Sequence, residues 1–164
     1  MPKFRYIRWS EYGALANRLV KMLRDERIRL DLIIGVARGG IPLAMVLGDQ
    51  LGVRLDIINI KSYDGIASRK KPKVVSTLTE EVAGKTVLVV DDLVDEGDTL
   101  RTVVKHLSSK NPRSIRTAVL FRKPWSSVTP DYYLETLDEW VVFPWEKGEV
   151  ERALKKRSPS RLDE

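Results

Sequence analysis

The chain has 164 residues, 43% of them hydrophobic and 32% charged, with 29 Lys+Arg against 23 Asp+Glu and a net charge of +6. That length suits one domain able to bury roughly 70% of the surface its unfolded chain exposes, and the hydrophobic share excludes a disordered polymer. With no cysteine and a single histidine, His106, a disulfide framework, a zinc ribbon, an iron–sulfur site and a thiol nucleophile are excluded, and a Ser-His-Asp triad is short of parts.

In chain order, Leu15, Leu19, Met22 and Leu23 recur at helical spacing, which predicts a helix over 10–24 with Ser10 as its N-cap. The run 30–36 (LDLIIGV) ends in a glycine-rich turn and reads as a buried parallel strand. A helix over 41–51 follows, with Pro42 in its first turn, where the missing N–H is not needed. A strand is then expected over 53–60. Ser62, Gly65, Ser68 and Pro72 break any period and 69–73 is cationic, so 61–73 is expected to be a long mobile loop, closing with a short strand at 74–78. Residues 86–90 (TVLVV) give the cleanest strand pattern. A helix over 99–109, stopped by Asn111-Pro112, and a strand over 114–121 come next. The segment 123–145 is expected to be irregular and 158–164 to be a frayed tail. His106 falls within a helix and reads as structural or interfacial, and Lys155–Arg157 as a solvated face. No apolar run approaches the ~20 residues of a membrane span, and no signal-peptide core follows the basic N-terminus, so a soluble, cytoplasmic domain is expected.

Strands alternating with helices predict an α/β fold with a mainly parallel sheet flanked by helices. Ligands in such folds sit at the carboxyl ends of the strands. Three unusual loops fall there: 37–40, 61–73 and 91–99. The third is the most informative. Asp91 and Asp92 alone carry little, because strand ends commonly turn polar as they leave a core. Here they are followed by Asp95, Glu96, Gly97, Asp98 and Thr99 and then a helix. Gly97 permits a tight turn and a close ligand approach. The N–H groups of 96–99 at a helix start favour an anion such as phosphate. Acidic residues beside a phosphate cradle suggest an anionic sugar, with carboxylates for the hydroxyls and amides for the phosphate. A Walker A loop and an EF-hand are both excluded by the spacing.

The segment 87–100, VLVVDDLVDEGDTL, resembles the phosphoribosyl-pyrophosphate-binding signature of type I phosphoribosyltransferases. Residues 35–40 (GVARGG) resemble their pyrophosphate loop, and 62–64 (SYD) the start of their mobile catalytic loop. Lys123-Pro124, 130–133 (PDYY) and 140–146 (WVVFPWE) resemble the purine-binding hood of the small 6-oxopurine members, the xanthine-guanine and hypoxanthine phosphoribosyltransferases. The matches keep the family's order from about Trp9 to Trp145.

The resemblance implies one domain over 1–164, with a core of about 9–122 and a small C-terminal hood of about 123–150 joined by N-terminal residues. It implies phosphoribosyl pyrophosphate and a 6-oxopurine as partners, magnesium held mainly through substrate oxygens, and a homodimer or homotetramer. Asp91 and Asp92 would take the ribose hydroxyls and magnesium. Asp95 would receive the purine N7 proton, and 95–99 (Asp95, Glu96, Gly97, Asp98, Thr99) would bind the 5′-phosphate. Ala37, Arg38 and Gly39 would bind pyrophosphate, in a loop that the family often builds with a non-proline cis peptide. Ser62 and Tyr63 would belong to the mobile loop. Lys123 would donate to O6, Trp140 would stack on the purine, and the Val141 backbone would read its edge. One departure is Glu96, where the usual signature has threonine; with Asp98 it places two carboxylates beside a phosphate. A non-catalytic donor-binding regulator on the same fold is the rival this raises. A nucleic-acid-binding domain, suggested by the net charge, lacks a recognition helix, zinc finger or stacking motif, and no membrane partner is expected.

Overall fold

The computed structural model describes residues 3–65 and 68–157, with backbone alone for 63–65, 68–70 and 154–157. The tail expected at 158–164 and the side chains of Lys155–Arg157 lie outside the described residues. In chain order the elements are β1 (Phe4–Tyr6), α1 (Trp9–Asp25), β2 (Leu32–Ala37), α2 (Gly40–Leu51), β3 (Leu55–Gly65), β4 (Ser68–Val74) and β5 (Thr86–Val90). Then come β6 (Leu93–Val94), α3 (Asp98–Ser108), β7 (Ser114–Ala118), β8 (Phe121–Arg122), β9 (Glu135–Thr136), β10 (Trp140–Val142) and α4 (Lys147–Arg157). They fall into two compact units, one of Leu15–Leu137 and one of Met1–Ala14 with Asp138–Glu164. The first takes in 123–137.

The larger unit is built on a five-stranded sheet in the order β4-β3-β2-β5-β7. β2, β3, β5 and β7 run parallel, and β4 is antiparallel at one edge. Leu32–Val36 of β2 and Val87–Val90 of β5 are buried without a break. Both faces of the inner strands are covered, which is why they read as continuous apolar runs instead of alternating ones. Leu43, Ala44 and Leu47 bury one stripe of α2, and Leu100, Val103 and Leu107 bury the matching stripe of α3. The α3 stripe joins Leu32, Ile34, Val36, Ile58, Val87 and Val89 in one cluster. His106 is part-buried on α3, where burial first and the Lys110 charge second lower its pKa.

Three local expectations are corrected. Residues 61–65 and 68–74 are not an unstructured loop: they pair as an antiparallel ribbon, with Ile60 opposite Val74 and Ser62 opposite Pro72. Pro72 is compatible with this because β4 is an edge strand, where a missing donor breaks no inner ladder. The lysines that looked like loop composition are also a common protection for an exposed edge. No strand occupies 75–78; β4 ends at Val74. The strand expected over 114–121 is two strands, because the chain changes partners: Val119 N–H donates to Tyr132 O, and Leu120 N–H to Asp92 O. β8 then joins a second, parallel sheet in the order β6-β8-β9.

The smaller unit pairs β1 with β10 in parallel. Phe143 and Trp145 stack with ring centroids 4.9 Å apart and planes 3° from parallel, and Tyr12 meets both edge-on. The irregular segment expected up to residue 145 therefore includes β9 and β10, and α4 was not anticipated. β10 finds its partner at the opposite end of the chain, where no local periodicity announces it. Among the described residues no helix is long and apolar enough to cross a membrane.

Candidate active site

β3 lies on one side of β2 and β5 on the other. The chain leaves β2 through α2 toward β3, and leaves β5 through α3 toward β7, so the two departing loops part between β2 and β5. Open parallel sheets take ligands at such a point. The 37–40 loop packs directly on the end of β5 and on the Asp92 side chain. A Cβ on Gly40 would overlap the Val90 carbonyl oxygen, and one on Gly39 would overlap the Asp92 carboxylate. Only glycine lets 37–40 lie this close to Asp91 and Asp92. The peptide bond Ala37-Arg38 is cis, as the family resemblance implied, and Arg38 is exposed.

Asp91 and Asp92 stand at the carboxyl end of β5. Asp92 N–H donates to Asp91 Oδ1 (2.9 Å) and Leu93 N–H donates to Asp92 Oδ1 (2.7 Å). Burial first, and then the adjacent Asp92 charge, hold the Asp91 carboxyl well above the usual carboxylate range, against the lowering effect of that backbone bond. Such opposed carboxylates are relieved by a ligand bringing hydroxyls or positive charge.

α3 begins after Gly97, whose φ of 100° lies in the left-handed region. No side chain caps this helix start, so its first N–H groups and dipole end face outward from the turn. Asp98 accepts from Arg101 Nη1 at 2.7 Å, which gives this acid beside the helix start a counter-charge. Glu96 is exposed, and its carbonyl accepts from Ser127 N and Oγ (3.1 and 2.7 Å). A Cβ on Gly97 would lie 2.7 Å from Val128 Cγ2. Gly97→Ala is therefore expected to combine left-handed strain of roughly 1–3 kcal/mol with overlap. A thermal melt should drop by about 2–4 °C for each kcal/mol lost.

Lys123 is only 6% exposed, which is unusual for a lysine. Its backbone N–H donates to Val94 O at 3.0 Å, tying it to the residue before Asp95. Its ammonium lies 5.5 Å from the centroid of the Trp125 ring. Trp125 Nε1 in turn donates to Asp95 Oδ1 at 2.7 Å. Asp95 and Lys123, proposed from separate segments, are thus brought to one indole. The sequence reading did not single out Trp125, nor Arg101 and Ser127. The available signal was a tryptophan two residues beyond a candidate base-binding lysine, inside a segment rich in turn formers.

The remaining residues are placed as follows. Ser62 is exposed on β3, and Tyr63 pairs with Lys71 in the ribbon; its side chain lies outside the described residues. Thr99 is part-buried in the first turn of α3. Trp140 and Val141 belong to the smaller unit. Trp140 is 59% exposed at the start of β10, level with Phe4, and Val141 is buried.

Residues 8–152 match the phosphoribosyl transferase domain family. The xanthine-guanine phosphoribosyltransferase of Gluconobacter oxydans is 33% identical over 144 residues, covering 85% of this chain and 83% of that protein. The crystal structure of a purine phosphoribosyltransferase from Pyrococcus horikoshii superimposes with a TM-score of 0.79 at 35% identity, covering 87% of this chain and 93% of that one. The transcriptional regulator GfcR of Methanocella arvoryzae is 26% identical over 136 residues, covering 74% of this chain and 66% of the regulator. With its parallel sheet, its paired acids at the switch point and these relatives, the chain belongs to the phosphoribosyl transferase domain family and is a phosphoribosyltransferase of the type I fold.

Proposed function

We propose that this enzyme transfers the phosphoribosyl group of phosphoribosyl pyrophosphate to a 6-oxopurine (hypoxanthine, guanine or xanthine), giving the nucleoside monophosphate and pyrophosphate in cytoplasmic purine salvage. The observation that carries this reading is the direct packing of the 37–40 loop on Asp91 and Asp92, one helix start away from an uncapped cradle. In the reading, Asp91 and Asp92 accept from the ribose hydroxyls. The N–H groups of 95–99, Asp95 to Thr99, bind the 5′-phosphate, and Ala37, Arg38 and Gly39 receive the pyrophosphate. Arg38, Lys61 and Lys73 add positive potential that aids capture of the donor.

A purine nitrogen attacks C1′ as the C1′–O bond to pyrophosphate breaks, and the electron pair of that bond leaves with the pyrophosphate. Positive charge develops on the sugar ring, and Asp95 takes the proton the purine gives up at N7. The Asp95 carboxylate gains here through positioning and charge balance. The family resemblance gives Trp140 the stacking role and the Val141 backbone the contact to the base edge, and Lys123 donates to O6. Adenine presents a donor at that position, facing the Lys123 ammonium donor to donor.

The donor set at the strand end, two neighbouring carboxylates, fits a hard divalent ion. In this reading magnesium is carried mainly by substrate oxygens and water, with Asp91 and Asp92 as protein contacts. Bound magnesium would supply charge neutralisation on the pyrophosphate. A homodimer or homotetramer is expected from the family.

Steady-state assays with phosphoribosyl pyrophosphate, magnesium and each of hypoxanthine, guanine, xanthine and adenine test the reading. Pyrophosphate release is expected with at least one of the first three and none with adenine. Donor binding without turnover on any base would favour a regulatory role, toward which the resemblance to GfcR points. Glu96 raises that alternative; the Asp98–Arg101 pair supplies a counter-charge to Asp98 alone.

A further inference from the structure

The segment 123–128 is fastened at several points. Arg122 Nη2 donates to Ser126 O (3.2 Å) and its Nε to Val128 O (3.4 Å). Ser126 Oγ also donates to Val128 O at 2.9 Å. Ser127 donates through both N and Oγ to Glu96 O, and Arg101 Nη2 reaches Ser127 Oγ at 2.6 Å. Val128 fills the space against Gly97. These bonds clamp 123–128 onto the turn 95–98, and Trp125 projects from it. An indole 56% exposed to solvent gains little from burial there. Its two specific contacts are the hydrogen bond to Asp95 Oδ1 and the cation–π approach of Lys123.

We infer that Trp125 is a positioning residue for phosphoribosyl transfer: its indole N–H holds one oxygen of the Asp95 carboxylate so that the other faces the purine, while its ring fixes the Lys123 ammonium. The inference rests on the roles proposed above for Asp95 and Lys123. A carboxylate on an exposed turn samples several rotamers, and a charge-assisted hydrogen bond from a clamped segment selects one. The geometry separates two effects. The N–H acts on Asp95 and therefore on the chemical step. The ring face acts on Lys123 and therefore on base binding.

The test uses the full chain and the purine that the wild-type enzyme turns over best. Trp125→Phe keeps a ring face and removes the donor. It is expected to lower kcat about 10-fold, with the purine and donor KM within about 2-fold and an unchanged melting temperature, as suits a largely exposed site. Trp125→Ala is expected to add a rise in purine KM. In an Asp95→Asn background, Trp125→Phe should cost little further, because the indole acts through the carboxylate. Equal losses in both backgrounds, or an unchanged kcat, would overturn the inference. The indole is also followed without activity: the Trp125 Nε1–H resonance in ¹⁵N-labelled protein should move on Asp95→Asn, and an unmoved resonance counts equally against the contact. A wild-type chain without turnover on any base, with that resonance moving as expected, would defeat the catalytic reading and leave the contact standing.

Discussion

Gly39→Ala is expected to lower kcat/KM for the phosphorylated donor by about 100-fold, the scale of loss for a displaced reactive group. The backbone is not the reason. Gly39 sits at φ −60° and ψ −33°, where alanine is at ease. The reason is that the three atoms nearest to the new Cβ all belong to the Asp92 carboxyl group. One of two things must give. Either Asp92 rotates away and its Oδ1 releases the Leu93 N–H, or the 37–40 loop lifts from the end of β5. Each separates the groups proposed to hold ribose from those proposed to hold pyrophosphate. The overlap should also cost roughly 1–3 kcal/mol of stability. An Asp92→Ala background supplies the control, because it removes the obstructing atoms. There the Gly39→Ala change should leave the melting temperature nearly unmoved, and an equal drop in both backgrounds would refute the steric account.

Asp91→Asn is expected to move stability and activity in opposite directions. Asparagine keeps an oxygen that can accept from Asp92 N–H, and it removes the charge opposed to the Asp92 carboxylate. The Asp91 carboxyl has its pKa raised in the folded protein, first by burial and then by Asp92. The folded state therefore keeps this proton at pH values where the unfolded chain has lost it. Its contribution to stability is complete below the ordinary carboxylate pKa of 3.8 and is lost as pH rises through the raised folded-state value. At neutral pH, without substrates, the variant should melt higher than the wild type, by about 2–4 °C for each kcal/mol recovered. Melting temperatures of the two proteins recorded across the acidic-to-neutral range should diverge with increasing pH, and parallel curves would refute the assignment. Donor turnover should fall on the order of 100-fold, the scale of a lost hydrogen bond to a charged group. The pattern is that of a site whose binding groups are kept at some expense in stability.

The largest part of the larger unit was legible from the chain alone. The buried runs of β2 and β5 have no polar residue to expose, so their composition determined a sheet covered on both faces. The α1 and α3 stripes follow directly from helical spacing. The order of polar residues after β5 determined where a sugar phosphate would be met, because a carboxylate pair, a glycine and a helix start must occur in that sequence to work. Local pattern failed at 61–74, where Pro72 and a run of lysines suggested a loop. A proline is excluded from inner strands and tolerated at an edge, and which edge β4 occupies is a property of the assembled sheet.

What only the tertiary structure decided are the contacts between segments distant in the chain. β10 acquires its partner from residues 4–6. Glycines 39 and 40 show their purpose only against Val90, Asp91 and Asp92. The +6 balance suggested several anionic partners, whereas folding pairs Asp98 with Arg101 and leaves Asp91 and Asp92 opposed. Trp125 is the clearest case. By itself it is one tryptophan among four, and its meaning comes from the fastening of 123–128 to 95–98, which sets its N–H on one candidate reacting group and its ring near another. Spacing along a chain specifies which side chains share an element. Which side chains share a site is specified by how the elements pack.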